Sequence, residues 1–145
     1  MTKEEIQHLY RKHILPESNN PYHFESDKKA NIKLEAYNPM CGDKFYLHLN
    51  EENKLFEAVH FHGYGCAISM ASTSLLLKKI DGMSTNDGLH LCKQFLDSLT
   101  DDSISKLMDE DLQYLAELKN FDGRIDCIKL SWETLLAHLN YSLDI

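Results

Sequence analysis

Cys41 and Asp43 sit two positions apart in Asn38-Pro39-Met40-Cys41-Gly42-Asp43, a glycine-bearing turn on which a thiol and a carboxylate can face one point. Two more thiols lie on similar segments. Cys66 follows Gly63-Tyr64-Gly65, and Cys127 follows Gly123-Arg124-Ile125-Asp126. Three thiolates and one carboxylate make a four-coordinate set suited to zinc or to iron–sulfur chemistry. Cys66 and Cys127 both fall at expected helix N-termini, where free amides and the helix dipole favour thiolate over thiol. A single one of these cysteines reads equally well as a small buried residue. Three of them on glycine-containing segments, one paired with an acid, weigh towards ligation. Cys66 comes 25 positions after Cys41 and Cys127 a further 61 on, so this is no compact finger.

Other reactive side chains carry less weight. His60 and His62 lie two apart on one strand face near Cys66; they offer an alternative ligand, or are half-exposed strand residues. Cys92 stands between Leu91 and Lys93 in an expected helix with no glycine or acid beside it, and reads as a structural or incidental cysteine. Trp132 reads as core. Arg124 is open to three roles: pairing with Asp43, steadying a thiolate, or a plain surface ion pair.

The rest of the chain has to bring those three segments together. With 145 residues, 43% of them hydrophobic, it suits one globular domain spanning residues 1–145. Net charge is −8, and the 15 Lys and Arg form no basic stripe, so no nucleic-acid partner is expected. The polar start lacks the apolar core of a signal peptide and no run is long enough to span a membrane. These features point to a reducing cytoplasm, where four cysteines bind metal or react rather than pair.

Residues 2–13 read as an amphipathic helix with a Thr2–Glu5 capping box, ended by Pro16 and followed by a loop to about residue 30. Three strands follow. Ile32, Leu34 and Ala36 alternate with polar residues; Phe45, Leu47 and Leu49 do so across 44–50, and Leu55, Val59 and Phe61 across 54–62, where Glu57 interrupts the pattern. Glu51-Glu52-Asn53 reads as the hairpin connection, and the Cys41 turn joins the first strand to the second. From Gly63 the period becomes helical, giving helices over 66–80, 84–99, 103–119 and from about 124. The last carries a stripe of Ile128, Trp132, Leu135, Leu136 and Leu139. The expected fold is α+β: an N-terminal helix, a three-stranded antiparallel sheet and four helices packed on one face. The metal centre is expected at the sheet end where three loops meet.

At Asn38–Asp43, at Gly65-Cys66-Ala67-Ile68-Ser69-Met70-Ala71-Ser72 and at Arg124-Ile125-Asp126-Cys127-Ile128-Lys129-Leu130-Ser131-Trp132, the chain resembles the IscU/NifU N-terminal family of iron–sulfur cluster assembly proteins. The resemblance covers nearly the whole chain. Within the family it is closest to the SufU-type branch, which relays sulfur with zinc bound. Asp126 stands where the scaffold branch usually has a His, Leu118-Lys119-Asn120-Phe121-Asp122-Gly123 replaces its Leu-Pro-Pro-Val-Lys motif, and the stretch before Cys127 is longer. Asp122-Gly123 departs from the Pro-Ala frequent in that branch.

The resemblance implies zinc held by Cys41, Asp43, Cys66 and Cys127, with Cys41 the sulfur acceptor and Arg124 supporting the ligands from outside. It implies a sulfurtransferase-like relay that takes persulfide sulfur from a SufS-type cysteine desulfurase and passes it to downstream iron–sulfur assembly proteins. Two alternatives use the same residues: a scaffold on which a [2Fe–2S] iron–sulfur cluster is built, and a zinc-structured docking module that activates the desulfurase.

Overall fold

The Thr2 hydroxyl accepts from the Glu5 N–H at 3.1 Å while the Glu5 carboxylate accepts from the Thr2 N–H at 3.5 Å, and this capping box opens helix α1 (Lys3–Leu9). In the computed structural model, which describes residues 1–101, 103–121 and 123–143, the helix does not stop at residue 13. It passes through a π-helical turn, Tyr10–Ile14, closed by a bond from the Leu15 N–H to the Tyr10 carbonyl, into α2 (Leu15–Asn19). Pro16 is therefore tolerated near the start of a helical segment rather than ending one. The π turn widens the ladder just ahead of the ring, relieving its clash with the carbonyl four residues back.

The sheet is antiparallel in the order β1 (Ile32–Asn38), β2 (Asp43–Glu52), β3 (Leu55–Tyr64). Its hairpin turn is Asn53-Lys54, not Glu51-Glu52-Asn53. Both turn residues have positive φ, 54° and 60°, as a two-residue turn matched to strand twist requires, and Glu52 still pairs with Leu55. The interruption at Glu57 is a β-bulge. His48 pairs with His60 but Asn50 pairs with Glu57, so β3 carries one extra residue there, with Ala58 at φ 42°. The bulge reverses the strand's parity. Phe56, Val59 and Phe61 are the buried residues of β3, and Leu55, expected on the core face, is exposed.

Phe45, Leu47 and Leu49 of β2 complete the apolar face, and the helices lie against it. Helix α3 (Ala67–Ile80) is buried almost all round: Ile68, Ala71, Leu75, Leu76, Leu77 and Ile80 are core, and so are Ser69, Ser72, Thr73 and Ser74. A serine-rich helix survives there because each hydroxyl finds a partner. Ser72 Oγ donates to the Ile128 carbonyl and accepts from Trp132 Nε1 at 2.9 Å, Thr73 Oγ1 meets Ser131 Oγ at 2.7 Å, and Ser74 Oγ donates to Glu17 at 2.6 Å. The Ser74 bond ties α3 to α2, and those of Ser72 and Thr73 fasten it to α6 (Ile125–Leu143), whose stripe Ile128, Trp132, Leu135 and Leu139 is buried, with Trp132 stacked on Phe95 at 4.1 Å.

Ser72→Ala is expected to destabilise the fold by about 1–3 kcal/mol, because it leaves the buried Trp132 indole N–H without its partner. For a chain of this size that is a fall in Tm of very roughly 3–10 °C, read by thermal denaturation.

Helix α4 (Thr85–Ser98) is capped by Ser84, whose hydroxyl accepts from the Asp87 N–H at 3.1 Å. The single helix expected over 103–119 is instead a 3-10 turn, Ile104–Lys106, then α5 (Glu110–Glu117), then a second 3-10 turn, Leu118–Asn120. Asp109 makes the break: its side chain caps α5 by accepting from the Leu112 N–H at 3.0 Å, and an N-cap residue is itself not helical. The architecture is thus α+β, with an N-terminal helix, a three-stranded antiparallel sheet and the helices α3–α6 to one side. No described helix is long and apolar enough to cross a membrane.

Candidate metal centre

Asp43 opens β2 on the strand face shared with Phe45, and is 2% exposed. A carboxylate so buried needs donors. Its Oδ2 accepts from the Cys41 thiol at 3.0 Å and its Oδ1 from the Cys66 N–H at 3.0 Å. The Cys41 turn is closed by a bond from the Gly42 N–H to the Asn38 carbonyl at 2.8 Å, which folds Cys41 back over Asp43.

Cys66 is the N-cap of α3. Its sulfur accepts from the Ser69 N–H at 3.4 Å, so the thiol sits on the positive end of the helix. Cys127 lies in the first turn of α6 and is buried. The α3–α6 hydroxyl bonds sit next along both helices, and they bring the two helix starts side by side.

One ligand atom each from Cys41, Asp43 and Cys127 lies within 4.8 Å of the others. Cys66 stands outside that tight group, its sulfur engaged at the helix cap, but close enough to Cys127 to repel its thiolate. The structure therefore brings three of the four expected ligands together directly and sets the fourth beside them. Burial pushes the Cys127 thiol up to about 12, and the facing Cys66, Asp43 and Cys41 push the same way. Burial also raises Cys41, with Asp43 adding to it. Converging acceptors that resist losing their protons are a donor set suited to a thiophilic cation. Such an ion supplies the positive charge that displaces thiol protons.

Arg124, at the mouth of α6, faces Cys127, whose thiolate is the main influence raising the guanidinium above its ordinary value. Among the described residues it makes no ion pair with Asp43, so of its three possible roles the geometry favours steadying a thiolate. Arg124 also lines a cavity of about 190 Å³ with Tyr10, Cys66, Ala67, Ile68 and Phe121, which opens beside Cys66. The neighbouring Asp122 lies outside the described residues.

His60 and His62 are not with the thiols. Strand alternation turns them to the other face of the sheet from Asp43, as for their cross-strand partners His48 and Tyr46. Cys92 is fully buried in α4, and burial alone pushes its thiol to about 12.

Gly65 belongs to the site as well. A Cβ there would lie 2.5 Å from Ser69 Oγ and 2.8 Å from Asp43 Oδ1 and Phe45 Cζ, so the site closes around a missing side chain. The signal in the sequence was the glycine pair flanking Tyr64. Exposed Tyr37, Met40 and Tyr64 flank the Cys41 turn at the same end of the sheet.

Residues 9–139 match the sequence profile of the NifU-like N terminal domain. The zinc-dependent sulfurtransferase SufU of Bacillus subtilis (strain 168) is 34% identical over 131 residues, covering 88% of this chain and 86% of that protein. The iron–sulfur cluster assembly scaffold protein IscU of Thermotoga maritima is 28% identical over 127 residues, covering 88% and 89%. Among solved structures, FiSufU of Fervidobacterium islandicum AW-1, described as an iron–sulfur cluster assembly scaffold for the SUF system, superposes with a TM-score of 0.80 at 27% identity, covering 92% of this chain and 98% of that one.

Proposed function

The chain belongs to the NifU-like N-terminal domain family, whose members assemble iron–sulfur clusters, and from that premise we propose that it is a zinc-dependent sulfur relay, taking persulfide sulfur from a cysteine desulfurase. The observation that carries the reading is the difference in access among the thiols at the centre. Cys41 is exposed and hydrogen-bonded to Asp43, Cys66 is half-buried at a helix cap, and Cys127 is buried. Cys41 is the most accessible of the three, carried on an exposed turn. The exposed Tyr37, Met40 and Tyr64 around it supply apolar surface of the kind a docking partner covers.

Cys41, Asp43, Cys66 and Cys127 would hold the ion. When bound, zinc keeps thiolates deprotonated at neutral pH without oxidising them. In the transfer itself the Cys41 sulfur attacks, as thiolate, the terminal sulfur of the donor persulfide. A Cys41 Sγ–S bond forms, the donor's S–S bond breaks, and the donor cysteine leaves as thiolate, with no net oxidation. Arg124 beside Cys127 offsets the negative charge that accumulates among the sulfurs. Asp126 in place of a His before Cys127 fits the relay branch rather than the scaffold branch.

The similarity to a protein named as an IscU scaffold favours a second reading on the same residues, in which a [2Fe–2S] cluster is built there. Protein purified anaerobically is expected to be colourless with about one zinc per chain, as one four-coordinate site requires. It should raise the turnover of a SufS-type desulfurase and acquire sulfur label from cysteine. Cys41→Ser should still bind the desulfurase but take up no label, while Cys92→Ser labels normally. A brown protein with stoichiometric iron and sulfide would favour the scaffold. Full stimulation by Cys41→Ser with label moved to Cys92 would overturn the relay.

A further inference from the structure

On the face of the sheet turned away from the helices, four histidines gather far from any use the metal centre makes of them. His48 of β2 and His60 of β3 are cross-strand partners. His62 stacks between His48 and Tyr46, with ring centroids 4.9 Å from each, and His23 stacks on His60 at 5.1 Å. His23 belongs to residues 22–30, which meet the free edge of β3 at residues 23–24 and reach β2 at Asp27. The Phe61 N–H donates to the His23 carbonyl at 3.2 Å, His23 Nδ1 meets the Val59 carbonyl at 2.9 Å, and Phe24 bridges to Phe61.

The segment is pinned further by the Tyr22 hydroxyl donating to Asp81 at 2.6 Å and by Asn50 Nδ2 donating to Asp27 at 2.9 Å. His23 adopts φ 46°, a conformation that a non-glycine residue holds only when its surroundings impose it. Beside this segment His48 is 8% exposed, and neither of its ring nitrogens has a hydrogen-bond partner among the described residues.

We propose that residues 22–30 form a proton-operated strap, closed while His48 is neutral and released when His48 takes up a proton. A neutral imidazole can be buried with unpaired nitrogens at modest cost, but an imidazolium cannot. The groups around it divide. His62 on β3 and, less strongly, Lys33, its cross-strand partner on β1, repel a cation at His48, while the backbone and carboxylate of Asp27 in the strap favour one, the backbone by more than Lys33 opposes it.

Burial is the largest influence and holds His48 below the ordinary imidazole range. His60 differs, because Glu25 and Asp27 of the strap stand 3.3 Å and 3.7 Å from its nitrogens, so a proton there tightens the strap. With the strap open, His48 reaches water and titrates near the ordinary value of about 6.5. A group whose closed-state pKa is depressed stabilises the closed state fully above that value and progressively less as pH falls from about 6.5 through the closed-state pKa. Through His48, therefore, acid favours the open strap, against the opposite pull of His60.

The test is hydrogen exchange over residues 20–31 of the zinc-loaded full chain, corrected for intrinsic rates, at pH 7.5 and 5.5. Wild type is expected to lose roughly five- to tenfold in protection at the lower pH, about tenfold being the ceiling for one group that titrates near 6.5 when open and stays neutral when closed. His48→Phe, which keeps a ring stacked on His62 but cannot be protonated, should protect the strap equally at both, and His60→Gln should still open in acid. An NMR titration of the wild type, free of any folding defect in a variant, should show the His48 ring and the amides of the strap shifting together below pH 6.5. Protection in the wild type that ignores pH, acid opening retained in His48→Phe, or a strap that moves out of step with the His48 ring would overturn the proposal.

Discussion

Cys127→Ser is expected to empty the metal centre while leaving the fold standing. Cys127 is the thiol whose loss cannot be made good from outside, because it is 4% exposed in the first turn of α6 and no other sulfur can swing into its place. A serine hydroxyl fits the space, so the apo protein should lose only about 1 kcal/mol, the size of a small core change. Metal affinity should fall far more. Zinc binding worth roughly 10–16 kcal/mol, shared over four ligands, gives about 2.5–4 kcal/mol per ligand, or roughly 10²–10³-fold in affinity. Metal analysis after dialysis against a competing chelator, alongside thermal denaturation of the apo forms, separates the two effects. Stimulation of the desulfurase should disappear with the zinc. A Cys127→Ser protein that keeps one zinc per chain would remove Cys127 from the ligand set.

Gly65→Ala is the second large effect, and it reaches the site without touching a ligand. The added methyl would press on Ser69 Oγ, Asp43 Oδ1 and Phe45 Cζ, each closer than 3.0 Å. None can yield cheaply: Ser69 provides the amide that caps Cys66, Asp43 holds both Cys41 and the Cys66 N–H, and Phe45 is fully buried. Overpacking of this kind costs about 1–3 kcal/mol of stability. Because the strain is delivered through Asp43 and the Cys66 cap, metal affinity should fall by more than ten times as well, as when an outer support of a metal site is removed. Gly63 makes the useful contrast. Its Cβ would sit 2.1 Å from the Lys44 carbonyl, with φ at 136°, so a side chain there strikes backbone and should damage the sheet whether or not metal is bound. If Gly65→Ala matched wild type in both zinc affinity and Tm, the close approach at Gly65 would have no part in holding the centre.

The three cysteine segments, the capping box at Thr2, the alternation of β1 and β2 and the core stripe of α6 could all be read from the sequence. Each is written in a few neighbouring residues: a cap needs one side chain and an amide three positions on, and a strand or helix face needs only its period. The membership in an iron–sulfur assembly family was legible for the same reason, since its signatures are short. Where reading failed, the deciding contact was not local. The parity of β3 changes at Ala58, so Phe56 rather than Leu55 enters the core, and only pairing with β2 reveals the extra residue. Pro16 sits in a helix because a π turn precedes it, and Asp109 divides a helical stretch because its side chain prefers the amides of the next turn.

By itself the sequence determined which residue types would serve a metal, and which short turns and helix starts would carry them. It could not determine their order of access. Cys41 is open, Cys66 is turned into its own helix cap and Cys127 is buried because Ser72 and Thr73 fasten α3 to α6, Gly65 lets Asp43 approach the start of α3, and β2 sets Asp43 on the core face. The same holds for His48, an ordinary strand histidine in sequence that the sheet and residues 22–30 enclose together. Burial and mutual distance come from pairings between residues tens of positions apart, and no local period encodes them.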